Sequence, residues 1–284
     1  MAQFTNQAQL SYNNATVNSN VAVGEVLEVL SAAKTAVTET YTQGDTVTYV
    51  ISAVNTGATP LNGITVSDNL GAYPFGETTL YPLSYVDGSV RLYIDGVLQA
   101  APTVTAGPPL VVGGITIPAG GNMVLIYETT VNEFAPLDEG DSIVNTATVS
   151  GGGISTPLVV TETVTPVAEA QLSITKSINP VPVAENGIVT YTFVIRNNGN
   201  APADAAANVT LRDTFLPILS GLTVQLDGVT LAEGTGYTYA ITEGEFATVP
   251  GVITVPAATY TQDPITGVWS VTPGVTTLTV TGTI

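Results

Sequence analysis

Apolar and polar residues alternate in short runs along most of the chain, the period-two pattern of strands with one buried face. Leu30, Ala32, Lys34 and Ala36 share a phase, as do Leu172, Ile174, Lys176 and Ile178. Ile64, Val66, Asp68 and Leu70 form another such row, matched by Val209, Leu211, Asp213 and Phe215, and a further row holds Ile143, Asn145, Ala147 and Val149. Near the N-terminus Phe4, Asn6, Ala8, Leu10 and Tyr12 fall on one side, with Thr5, Gln7, Gln9 and Ser11 opposite. Each row carries one polar group among apolar neighbours. Asp263-Pro264-Ile265-Thr266-Gly267 reads as a turn between apolar segments and predicts a hairpin from Tyr260 to Trp269. Little helix is expected.

The rows recur because the chain repeats itself. The first copy runs from Lys34 through G-D-T-V-T-Y (Gly44 to Tyr49), N-T-G (Asn55 to Gly57) and I-T-V-S-D, ending at Asp68. The second runs from Lys176 through G-I-V-T-Y (Gly187 to Tyr191), N-N-G (Asn197 to Gly199) and V-T-L-R-D, ending at Asp213. The first copy closes with N-T-A-T-V at Asn145 to Val149, whereas the second runs out in T-V-T-G-T-I without that element. Carrying over the first copy's spacing places the missing Asn near position 287, beyond Ile284. A counterpart stands at the other end, where Asn6 to Leu10 reads N-Q-A-Q-L followed by Ser11. Asn6 precedes Lys34 by 28 residues and Asn145 precedes Lys176 by 31, so the N-terminus reads as the tail of a preceding repeat. The expected organisation is an N-terminal donor strand and linker over residues 1–28, a complete sandwich over 29–165, and a sandwich lacking its last strand over 171–284.

These elements resemble the repeat family first catalogued as domain of unknown function eleven, found in tandem in prokaryotic surface proteins. The resemblance covers nearly all of residues 30–150 and implies an immunoglobulin-like sandwich with an architectural role. The fold class expected is therefore all-β, two tandem immunoglobulin-like β-sandwiches.

Composition narrows the chemistry. Histidine and cysteine are both absent from the 284 residues, which removes the usual general base, thiol nucleophiles and zinc clusters. No phosphate-binding or nucleophile-elbow motif is present, so no turnover enzyme, no cofactor and no metal site are expected. Asp138, Glu139 and Asp141 make an acidic loop without the alternating spacing of a calcium site. A formal charge of −18 repels nucleic acid and anionic lipid. No apolar run approaches a bilayer span, so no membrane insertion is expected, and the opening M-A-Q-F-T-N-Q-A-Q-L has no leader-like character.

Burying an unpaired charge or amide costs several kcal/mol, so inward Lys, Asp and Asn should meet one another. Burial lowers a lysine's pKa and raises a carboxylic acid's. A neutral lysine amine beside a protonated acid can attack an asparagine side-chain carbonyl, leaving an amide and releasing ammonia. Gram-positive adhesin and pilin sandwiches are similar, joining a first-strand Lys to a last-strand Asn with an acidic helper. The resemblance assigns Lys34, Asn145 and helper Asp68 to one cross-link, and Lys176, Asn6 of another copy and helper Asp213 to a second. A buried ion pair with the Asn amide hydrogen-bonded alongside satisfies the same groups without reaction.

A sandwich without its last strand exposes backbone and an apolar groove that Asn6 to Tyr12 could fill. Donation from the next copy is non-closing and gives a head-to-tail extracellular filament at a cell or spore surface. The alternative is a monomeric adhesin or glycan-binding module, its second sandwich completed by its own N-terminus; any host or cell-surface ligand stays unassigned.

Overall fold

The alternation resolves into strands throughout in a computed structural model, which describes residues 2–284. The fold is all-β; among the described residues the helical content is one 3-10 turn, Ala205–Ala207. Contacts gather the chain into two compact units. Unit 1 takes the residues up to Pro136 together with Ser142–Thr165, and unit 2 takes Leu137–Asp141 and Pro166–Ile284.

Unit 1 begins with a hairpin built from β1 (Ala2–Asn6), β2 (Gln9–Tyr12), β3 (Ala15–Asn18) and β4 (Ala22–Val26). β1 pairs with β4 and β2 with β3. Asn13 and Asn14 turn the chain at φ of 43° and 63°, the two positive values that a tight hairpin turn requires. The uninterrupted strand expected from Phe4 to Tyr12 is thus two strands with a break at Gln7 and Ala8. Ser19 holds the break: its N–H donates to Ala8 O at 2.8 Å and its Oγ accepts from Ala8 N–H at 2.9 Å.

The strands that follow are β5 (Leu30–Ala36), β6 (Thr40–Tyr41), β7 (Thr46–Asn55), β8 (Leu61–Asp68), the short β9 (Tyr73–Phe75), β10 (Thr78–Leu80) and β11 (Leu83–Tyr85). Then come β12 (Arg91–Ile94), β13 (Val97–Leu98), β14 (Thr103–Thr105), β15 (Leu110–Ile117), β16 (Asn122–Val131), β17 (Ile143–Ser150) and β18 (Leu158–Pro166). One sheet runs β13-β12-β16-β7-β5, with β11 also on β16; the other runs β14-β15-β8-β17-β18-β6. The inward phase predicted for β5, β8 and β17 is the buried one, so Lys34, Asp68 and Asn145 lie in the core with Tyr49, Ile64 and Val149.

Unit 2 comprises β19 (Leu172–Asn179), β20 (Ile188–Asn197), β21 (Arg212–Thr214), β22 (Ser220–Leu226), β23 (Val229–Leu231), β24 (Tyr237–Ala240), β25 (Glu245–Thr248), β26 (Thr259–Gln262), β27 (Trp269–Thr272) and β28 (Gly274–Thr283). Its first sheet, β19-β20-β28-β22-β23, repeats the order β5-β7-β16-β12-β13 of unit 1. Its second sheet is β21-β25-β24, matching β8-β15-β14. Nothing among the described residues pairs with the outer edge of β21, where unit 1 has β17 and β18. β26 and β27 form the hairpin expected around Asp263 to Gly267. A core of Phe193, Phe215, Val224, Phe246, Leu278 and Val280 holds the two sheets of unit 2 together.

Candidate functional site

In unit 1, β5 carries Lys34 from the edge of one sheet and β8 carries Asp68 from the middle of the other, so the two meet across the core. Lys34 Nζ donates to Asp68 Oδ2 at 2.6 Å, with the side chains 0% and 1% exposed. Tyr127 donates a very short hydrogen bond to the same Oδ2, and Leu70 N–H donates to Oδ1 at 2.9 Å. The Lys34 ammonium also stands 4.7 Å from the centroid of the Tyr49 ring, which stacks on Tyr127 at 5.7 Å. Burial pulls the Lys34 pKa down to about 8, against the opposing attraction of Asp68. The Tyr49 and Tyr127 hydroxyls are pushed up by burial and by the charge on Asp68, so both stay protonated.

Asn145 enters from β17, whose Ala147 pairs with Asp68 itself. The Asn145 side chain is fully buried and neighbours both tyrosine hydroxyls. Its Oδ1 accepts the Gly71 N–H at 3.2 Å, whereas its Nδ2 has no hydrogen-bond partner among the described residues. A buried amide nitrogen left without an acceptor costs about 1–3 kcal/mol. The carbonyl is therefore polarised by a donor, while the NH2 group lies beside the Tyr49 and Tyr127 hydroxyls without a well-formed hydrogen bond. Gly71 adopts a φ of +72°, and a Cβ there would fall 2.6 Å from Ile143 Cγ2, so the close approach of its N–H requires glycine.

In unit 2 the same pair forms on β19 and β21 but stands open. Lys176 Nζ contacts Asp213 Oδ2 closely, with the side chains 42% and 18% exposed. Every residue of β19 is exposed. Three rings gather under the ammonium, Tyr191 at 4.7 Å, Phe193 at 5.4 Å and Phe215 at 5.5 Å. Val280 occupies the position of Tyr127, paired with Tyr191 as Tyr127 is with Tyr49, so Asp213 has no phenol donor there. A cleft of about 640 Å³ lies along this sheet, with Arg212, Asp213 and Thr214 of β21 in its wall.

The predicted donor residues are presented, not packed: Phe4, Leu10 and Tyr12 are each more than half exposed, and Asn6 and Ala8 are exposed too. The Asn-x-Gly turns prove structural. Asn55 Oδ1 accepts from Gly57 N–H at 2.9 Å, and Asn197 does the same for Gly199. Among the described residues no group of three or more His, Cys, Asp or Glu could hold a metal, and no helix is long and apolar enough to cross a membrane.

No protein-family model matches the sequence. No curated protein matches it either. Solved structures with similarity include BcpA, the major pilin subunit of Bacillus cereus, at 13% identity and TM-score 0.36 over 86% of this chain and 74% of that one. The pilus backbone RrgB from Streptococcus pneumoniae aligns at 13% identity and TM-score 0.34 over 86% of this chain and 55% of its own length. A collagen-binding domain from a Staphylococcus aureus adhesin aligns at 12% identity and TM-score 0.30, over 49% of this chain and 99% of that domain.

Proposed function

We propose that the chain is a structural subunit of an extracellular fibre, in which the N-terminal segment of one copy completes unit 2 of the next and Lys–Asn amides lock the assembly. The observation that carries this reading is the contrast between two copies of one Lys–Asp pair. Where β17 lies against β8 the pair is sealed; where the outer edge of β21 has no neighbour it is open, and the matching strand motif stands exposed at the N-terminus. An unpaired strand edge beside exposed apolar side chains is a site for strand addition. Donation between copies is heterologous and propagates.

Lys34, with its lowered pKa, is the nucleophile of the proposed reaction, and Asp68 takes and returns protons. The Lys34 ammonium gives one proton to Asp68, and the lone pair of the neutral amine attacks Asn145 Cγ. Negative charge then gathers on Oδ1, where Gly71 N–H donates. Asp68 passes its proton to Nδ2 and takes a second one from the attached Nζ, the Cγ–Nδ2 bond breaks, and ammonia leaves with Asp68 protonated. The products are an Nζ–Cγ amide and NH3, balanced with no oxidant and no cofactor. The group expelled is the NH2, which lies beside the Tyr49 and Tyr127 hydroxyls without a well-formed hydrogen bond. At a filled junction the same chemistry joins Lys176 to Asn6 of the donating copy, with Asp213 as helper.

Intact mass tests unit 1: folded protein should be about 17 Da lighter than its sequence, one ammonia lost to a covalent nucleophile, and Lys34→Ala should restore the full value. An unshifted mass overturns the amide and leaves an ion pair. Light scattering tests the fibre, because deleting residues 1–13 should leave monomers. Full-length protein that stays monomeric at every concentration sinks the polymer and supports a self-completed surface module. Fibres should boil in detergent to a ladder of multimers; Asn6→Ala should abolish the ladder while fibres still assemble.

A further inference from the structure

Resting on the strand-donation reading, we infer that the donor is the whole N-terminal hairpin, and that β4 enters the neighbouring copy's unit 2 beside the strand bearing Asn6. The receiving slot is two strands wide. In unit 1, two strands, β17 and β18, separate β8 from β6. The chain from Lys34 to Tyr49 aligns without a gap on Lys176 to Tyr191, which places Val183 where Tyr41 of β6 stands. Strands in a sheet lie about 4.8 Å apart, so filling only the place next to β21 would leave a gap of one strand, with unpaired backbone on both sides.

The hairpin matches the pair it would replace. β17 and β18 face each other with Asn145 opposite Glu162 and Ile143 opposite Val164. In the N-terminal hairpin Asn6 faces Ala22 and Phe4 faces Gly24. The inward pair changes from two medium side chains to one large and none, which roughly conserves volume. Gly24 is required for this: a Cβ there would lie 2.3 Å from the Phe4 ring. The strand holding Ala22 and Gly24 is therefore shaped around Phe4 and travels with it.

A two-stranded hairpin is at best marginally stable in water. Here Leu10, Tyr12 and Val17 are all exposed, on both strands of the hairpin and on the side of Phe4 and Asn6, so one donated strand would leave Val17 uncovered. The occupant is a second copy of this chain, because the exposed hairpin bears the same N-x-A element as β17 and, through β1 and β4, an antiparallel partner for it as β18 is for β17.

Disulfide trapping distinguishes the possibilities, since these 284 residues include no cysteine. The register of unit 1 sets Thr148 opposite Ser67 and brings Thr165 N–H to Glu39 O. Transposed, these give Gln9 opposite Arg212 for the first donated strand and Glu25 beside Val181 for the second. Each pair is replaced by cysteines in an Asn6→Ala background, which removes the amide ladder, and the oxidised protein is run on a non-reducing denaturing gel against single-cysteine controls. Multimer ladders from both pairs are expected. A ladder from Gln9→Cys with Arg212→Cys but none from Glu25→Cys with Val181→Cys overturns the hairpin and leaves single-strand donation intact. No ladder from either pair overturns donation itself. A disulfide that closes within the monomer overturns the assignment to a second copy.

Discussion

Unit 1 and unit 2 share a framework and differ in one edge. Both bring a lysine from an edge strand to an aspartate in the opposite sheet, and both stack an aromatic ring under the ammonium. In unit 1 the edge of β8 is covered by β17, water is excluded, and the lysine is driven toward neutrality. In unit 2 the edge of β21 is uncovered and the pair stays in contact with solvent. The comparison teaches that the covering strand, more than the charged pair, decides whether reactive groups are made. Chemistry can then follow assembly instead of preceding it.

The largest expected separation is in stability. Asp68→Ala leaves a buried lysine unpaired and should lower the unfolding free energy of unit 1 by about 3–5 kcal/mol. Asp213→Ala in unassembled protein breaks a partly exposed pair and should cost about 1 kcal/mol or less. Denaturant unfolding of the full-length variants measures both, and equal losses would erase the distinction between a sealed and an open site.

Gly71→Ala sharpens the contrast in a different way, because Leu216 stands at the corresponding place in unit 2, three residues after Asp213. The substitution forces a side chain into a left-handed position against Ile143 and should cost about 1–3 kcal/mol. It should also slow amide formation, read as a delayed loss of mass after refolding. Unchanged kinetics would remove the Gly71 N–H from the reaction.

A smaller effect is expected with pH. Lys34 has a folded pKa lowered to about 8, below its ordinary value of 10.5, so the unfolded chain binds the proton more tightly in between. The penalty of burying the cation is fully present below about pH 8, and stability rises with pH from there toward 10.5. Asn145→Ala, which keeps the lysine free, should show this rise in thermal unfolding scans. Wild-type protein carrying the amide has no amine to titrate and should lack it.

Much of this was legible in the alternation. The rows through Lys34, Asp68 and Asn145 put those groups on the buried side because a strand gives each residue only two choices of face. The hairpin at Asp263 to Gly267 followed from its turn residues. Tyr127 was missed, although Met123, Leu125 and Val131 share its phase, because nothing in a single strand says which residue it will face on another. The Gly71 contact is likewise a product of three-dimensional closure. The turn at Asn13 and Asn14 had a readable signal, two asparagines between alternating runs. The alternation from Phe4 to Tyr12 runs on through the break at Gln7 and Ala8, so the two strands read as one and the return after Tyr12 is hidden.

The attachment points on β5 and β17 also determine how the chain would carry tension. Along a fibre, pull enters unit 1 through the linker before Leu30 and leaves through the end of β18 toward Pro166. With Lys34 joined to Asn145, that pull crosses from β5 to β17 through one covalent bond, and the chain from Thr35 to Val144 hangs outside the line of force. Stretching could strip the strands flanking the bond, but the loop between its ends would stay slack. Most of unit 1 would then feel no load at all, and with Lys176 joined to Asn6 of the next copy the extensibility of each subunit would reside in the chain from Asn6 to Lys34 and from Asn145 to Lys176.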